Sequence, residues 1–91
     1  MQHSNTKKSD VIFKLLAKTI CEEREKQGKS IRTLAYEYDL QTSLICRLEN
    51  CKNEPKLISI WSVCEALGIK PSELLSKIEK QLPENFSLID K

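Results

Sequence analysis

Residues Ser30 to Asn50 read SIRTLAYEYDLQTSLICRLEN, and two short apolar periodicities meet there across a break of three residues. Ile31, Leu34, Ala35 and Tyr38 fall at i, i+3, i+4 and i+7, the stripe of one helical face. A second, shorter stripe of Leu44, Ile45 and Leu48 begins after Asp39-Leu40-Gln41 and leaves Thr42, Ser43, Cys46 and Arg47 pointing elsewhere. The pattern predicts two brief helices joined by a tight corner, a helix-turn-helix unit. Ser30 suits the N-cap of the first helix, because its hydroxyl accepts a backbone N–H of the first turn. Leu40 is apolar inside the break, and its burial would pin the two helices at a fixed angle. The second helix starts at Gln41 or Thr42, with Thr42 or Ser43 available to cap it.

Read onward, the chain runs SIRTLAYEYDLQTSLICRLENCKNEPKLISIWSVCEALGIKPSELL to Leu75. Leu34-Ala35 lies in the first helix, and Ile45 with Arg47-Leu48-Glu49-Asn50 lies in the second. Lys52, Pro55, Leu57, Ala66-Leu67-Gly68-Ile69 and Pro71-Ser72-Glu73-Leu74 follow. In this order and spacing the stretch resembles the Cro/repressor-type (phage-repressor-like, XRE) helix-turn-helix family over its whole length. The resemblance implies an all-α fold, a compact five-helix bundle of the lambda-repressor-like type, that binds double-stranded DNA. Two positions depart from the family pattern. Asp39 stands where the family usually has a corner glycine, and aspartate is among the few residues that tolerate the left-handed region, at about 1–2 kcal/mol. Ile31 stands where the family often has a phosphate-contacting glutamine, so that contact is lost or passes to Arg32.

The rest of the composition sets bounds on this reading. Ninety-one residues at 40% hydrophobic make one small domain with a modest core. A formal charge of +2 neither demands nor excludes a nucleic-acid partner, so local placement must decide. Nothing approaches the apolar length of a membrane span, and the N-terminus lacks the apolar core of a secretory signal. A soluble, cytoplasmic protein with no membrane partner is expected. Residues 1–9 are polar, with Lys7-Lys8 and the single His3, and read as a flexible arm. In some helix-turn-helix relatives such an arm reaches along the DNA backbone or into a groove.

The DNA-binding domain is expected over residues 10–81. Ser9 or Asp10 can cap a first helix whose broad face carries Val11, Ile12, Leu15, Leu16, Thr19, Ile20 and Glu23. Its last turn, Glu22 to Gln27, reads as charged and solvated, and Gly28 ends it. After a loop over 51–55, a fourth helix from Leu57 to Leu67 carries Leu57, Ile60, Trp61, Cys64 and Leu67 on one face. Gly68 stops it. Pro71-Ser72-Glu73 opens a fifth helix with Leu74, Leu75 and Ile78 facing inward. Pro83 breaks that helix, and Phe86, Leu88 and Ile89 make the tail, residues 82–91, either a fold-back onto the domain or a contact for a second chain.

With Leu44, Ile45 and Leu48 assigned to the core, the opposite face of the second helix presents Thr42, Ser43, Cys46 and Arg47. The resemblance places these four on base-facing positions in the major groove. Arg47 can bond guanine O6 and N7 as a bidentate fork, and Thr42 and Ser43 can offer hydroxyls or, for Thr42, a methyl to thymine. Phosphate contacts fall to Arg32, Gln41, Asn50, Lys52 and Asn53, with the amides around Ile31 at the helix start. The competing reading of Arg47 is an ion pair with Glu49 or Asp39. A homodimer is expected from the few base contacts one such domain offers, through the fifth helix and the tail.

Cys21, Cys46, Cys51 and Cys64 contain no C-x-x-C pair, and His3 is remote, so no metal site is expected. Cys21 and Cys64 read as small apolar residues at or near the core, whereas Cys46 and Cys51 flank the groove-reading surface. The chain has no Gly-rich phosphate loop, nucleophile elbow or H-E-x-x-H pair, and it reads as a non-enzyme without a cofactor. Three functions follow. The first is a sequence-specific transcriptional regulator, a repressor occupying a pseudo-palindromic operator. The second is an antitoxin-like protein binding a partner through Phe86, Leu88 and Ile89. The third is a regulator switched by oxidation at Cys46 or Cys51.

Overall fold

The computed structural model of the protein describes residues 3–51 and 54–89. Helix α1 spans His3–Lys26, α2 Ile31–Glu37, α3 Thr42–Asn50, α4 Leu57–Leu67 and α5 Pro71–Gln81, and no strand occurs among the described residues. Each helix sends a wholly buried side chain into one core: Ile20, Leu34, Ile45, Val63 and Leu74 are all fully removed from solvent. Burial of an aliphatic side chain of this size stabilises by about 1.5–3 kcal/mol.

Local chemistry sets most of the helix ends. Gly28 at φ 67° and Gly68 at φ 75° both take the left-handed backbone that stops a helix, and the Ile69 N–H returns to the Cys64 carbonyl at 3.0 Å. Pro71 opens α5, where the Lys70 N–H donates to the Glu73 carboxylate at 2.7 Å. α1 starts at His3, seven residues before Asp10, so residues 3–9 belong to the helix rather than to an irregular arm. No glycine or proline precedes Gly28, and a helix already nucleated on the core propagates outward at little cost.

Four apolar residues expected inward point outward. Val11 on α1, Leu57 and Trp61 on α4, and likewise Leu75 on α5, are exposed. LISIWSVCEAL is apolar around most of its circumference, so its periodicity leaves the inward direction open. Val63, Cys64, Ala66 and Leu67 occupy that direction, and the large Trp61 lies on the other side.

The charged end of α1 is not wholly solvated. Glu23 is buried against α5, accepting hydrogen bonds from Lys77 Nζ and, at 3.1 Å, from Lys26 Nζ. The Lys77 hydrogen bond holds the Glu23 carboxyl below its ordinary range despite the opposing effect of burial. Gln27 Nε2 donates to the Leu67 carbonyl at 2.7 Å, joining the ends of α1 and α4. In the tail, Leu82 packs against the core and Phe86 is half-buried, whereas Leu88 and Ile89 are exposed.

Candidate nucleic-acid interface

Successive residues of an α-helix turn about 100°, so Thr42, Cys46, Asn50, Ser43 and Arg47 sweep one arc of α3. Ile45 and Leu48 on the opposite arc are buried. Thr42, Ser43, Arg47 and Asn50 are exposed, and Cys46 among them is half-buried. The four residues expected to face bases therefore share one side of one helix, with Asn50 continuing it. Gln41, not Thr42 or Ser43, occupies the N-cap position, in extended backbone and with no side-chain cap bond. Thr42 and Ser43 lie one and two residues inside the helix, which leaves their hydroxyls on the exposed arc instead of on the helix end.

The corner that sets this arc outward is built as its residues allow. Ser30 caps α2, its Oγ accepting the Thr33 N–H at 3.0 Å. Asp39 sits at φ 56°, in the left-handed conformation expected of this corner, and the Leu40 N–H closes back onto the Ala35 carbonyl at 2.8 Å. Leu40 is half-buried and packs on the core, fixing α2 against α3. Lys29 flanks the corner, paired with Glu37 at 2.6 Å and 5.5 Å above the centre of the Tyr38 ring.

Glu49 is committed elsewhere than to Arg47. Arg24 of α1 grips it with two hydrogen bonds, Nε to Oε2 at 2.7 Å and Nη2 to Oε1 at 2.9 Å, and uses Nη1 for the Lys29 carbonyl at 2.7 Å. The Glu49 bond raises the Arg24 pKa further, against burial. Arg47 has no ion-pair partner among the described residues and stays exposed on its arc. Beside it, a cleft of about 230 Å³ runs between Leu44, Arg47 and Leu48 of α3, the Glu54-Pro55-Lys56 segment that leads into α4, and Ser59 in its first turn.

Of the expected phosphate contacts, Arg32, Gln41 and Asn50 are exposed, Arg32 on α2 and the other two at the start and end of α3. Lys52 and Asn53 lie outside the described residues. Sequence reasoning missed the end of α3: Cys51 takes the left-handed backbone at φ 56° and its thiol donates to the Phe13 carbonyl at 3.5 Å. All four cysteines are free thiols. Burial pushes the Cys64 thiol up to about 11, and raises Cys21 with help from the Glu49 and Glu25 charges. Among the described residues no group of three or more His, Cys, Asp or Glu is placed to hold a metal ion. No helix there is long and apolar enough to cross a membrane.

No family model matches the chain, and no curated protein does. Among solved structures, the crystal structure of the clp gene regulator ClgR from C. glutamicum superposes with a TM-score of 0.68 at 22% sequence identity, covering 81% of this chain and 96% of that one. The chain therefore shares its five-helix, all-α fold with that regulator.

Proposed function

We propose that the protein is a sequence-specific double-stranded DNA-binding transcriptional regulator of the Cro/repressor type, a repressor that reads a pseudo-palindromic operator through the major groove. The observation that carries this reading is the exposed arc of α3, where Thr42, Ser43 and Arg47 stand clear of the core while Glu49 is held by Arg24. An unpaired guanidinium on a projecting helix meets a guanine edge without first breaking an ion pair. The fold shared with ClgR, a clp gene regulator, supports the same reading. Arg32, Gln41 and Asn50, with Lys52 and Asn53, then hold phosphates and set the register of the helix. Selection of bound duplexes from a random pool, followed by footprinting, tests this: a two-fold symmetric site is expected, and failure to enrich any sequence in dilute buffer refutes it.

A second reading rests on the exposed Leu88 and Ile89 at the end of the described tail. In it the protein is antitoxin-like, its tail seating a partner protein while α3 serves autoregulation. Capture of a stoichiometric partner that is lost on truncation before Leu88 distinguishes it.

A further inference from the structure

The cleft beside Arg47 has a chemistry that a duplex does not use. Its least exposed walls are apolar, with Leu48 buried and Leu44 and Pro55 half-buried, while Arg47, Glu54 and Lys56 stand exposed around its mouth. Two cations and a carboxylate thus line one opening, yet no ion pair among the described residues joins Glu54 to either cation. Unspent charges of both signs over an apolar floor are the complement of a small molecule that carries both charges and an apolar body.

We infer that the cleft is a binding site for a free aliphatic α-amino acid, and that a molecule held there and the operator exclude one another. The exclusion rests on the DNA reading of Arg47; the site itself does not. The ligand carboxylate meets Arg47 and Lys56, its ammonium meets Glu54, and its side chain lies on Leu44, Leu48 and Pro55. Size agrees, since 230 Å³ is about eight water volumes, close to the bulk of a valine or leucine molecule. A DNA phosphate is the wrong occupant, because Glu54 repels it and the apolar floor offers it nothing. A carboxylate or an amine alone would leave one sign at the mouth unmet and partly desolvated. Arg47 supplies the regulation. Its guanidinium cannot bond a carboxylate in the cleft and a guanine edge in the groove at once. By linkage, whatever factor the amino acid removes from duplex affinity, the duplex removes from amino-acid affinity.

The test is titration of the full chain with L-leucine or L-valine, without DNA, followed through its backbone amide NMR resonances. Shifts are expected to concentrate at Leu44, Arg47, Leu48 and Lys56. Isocaproate, which lacks the amine, and isoamylamine, which lacks the carboxylate, should each bind about tenfold more weakly than leucine. Glu54→Gln, at an exposed position and so compatible with folding, is expected to lose about tenfold in leucine affinity and nothing in isocaproate affinity, a split that misfolding does not produce. With leucine at about ten times its dissociation constant, the selected duplex should bind the wild type about tenfold more weakly and Glu54→Gln only about twofold more weakly. Amides that move with neither amino acid overturn the site and leave the DNA reading standing. Leucine binding with duplex affinity unchanged overturns the exclusion. Leucine binding by a chain that selects no duplex upholds the site and removes the DNA reading instead.

Discussion

The Arg24 guanidinium and the Glu49 carboxylate meet side-on through two hydrogen bonds, with 12% and 8% of their side chains left exposed. The pair ties α1 to α3 two residues beyond Arg47 and occupies the Glu49 carboxylate. Arg24→Met strands a nearly buried carboxylate and is expected to lower stability by about 3 kcal/mol in urea unfolding. Arg24→Met with Glu49→Leu should recover most of that loss, since a matched apolar pair carries no unpaired charge. A double variant as unstable as the single one would show that the pair does not act as a unit.

Acid should loosen the α1–α5 contact first. The folded pKa of Glu23 lies below its ordinary value of 4.5, chiefly through the Lys77 hydrogen bond. Its stabilisation is therefore complete above the unfolded value and is lost as pH falls below about 4.5 through the folded pKa. Thermal unfolding from pH 6 downward is expected to show a steeper decline for the wild type than for Glu23→Gln, which cannot titrate. Parallel curves would place the acid sensitivity elsewhere.

Thr19 is buried with an Oγ1 that has no hydrogen-bond partner among the described residues. Thr19→Val keeps the shape and removes a desolvated hydroxyl, and should raise stability by about 1 kcal/mol. A loss of stability on that substitution would mean that the hydroxyl is satisfied in solution.

Cys51 ends α3 in the left-handed region, where a side chain costs about 1–2 kcal/mol. Cys51→Gly relieves that strain and loses the weak thiol bond to Phe13, so a net gain of about 0.5–1 kcal/mol is expected in chemical denaturation. Cys51→Val should destabilise. The reverse order would show that the thiol contact outweighs the backbone.

Residues whose role is local were legible in the chain. Ser30 caps α2, Gly28 and Gly68 stop their helices, and Asp39 takes the left-handed corner, each for a reason contained within a few neighbouring residues. The exposed arc of α3 was legible too, because Leu44, Ile45 and Leu48 leave only one side for Thr42, Ser43 and Arg47. What the sequence withheld depends on tertiary geometry. Arg24 and Glu49 are twenty-five positions apart and look like ordinary surface charges until α1 and α3 cross. The inward side of α4 does not follow from a segment apolar almost all round, whose periodicity points Trp61 and Leu57 at the core that Val63 and Ala66 occupy. Cys51 offered no signal, since nothing in its type announces a left-handed cap.

The central claim is that Arg47 reads a base while residues such as Arg32 hold phosphates. Fluorescence anisotropy with the selected duplex and its single-base variants, repeated across a salt series, tests it most directly. Arg47→Ala is predicted to weaken the selected site by about 1–3 kcal/mol and to erase discrimination at one base pair. Arg32→Ala is predicted to weaken all duplexes alike and to flatten the salt slope by about one unit. If Arg47→Ala instead leaves every preference intact, or the two substitutions behave the same way, the assignment of α3 as the reading helix is contradicted.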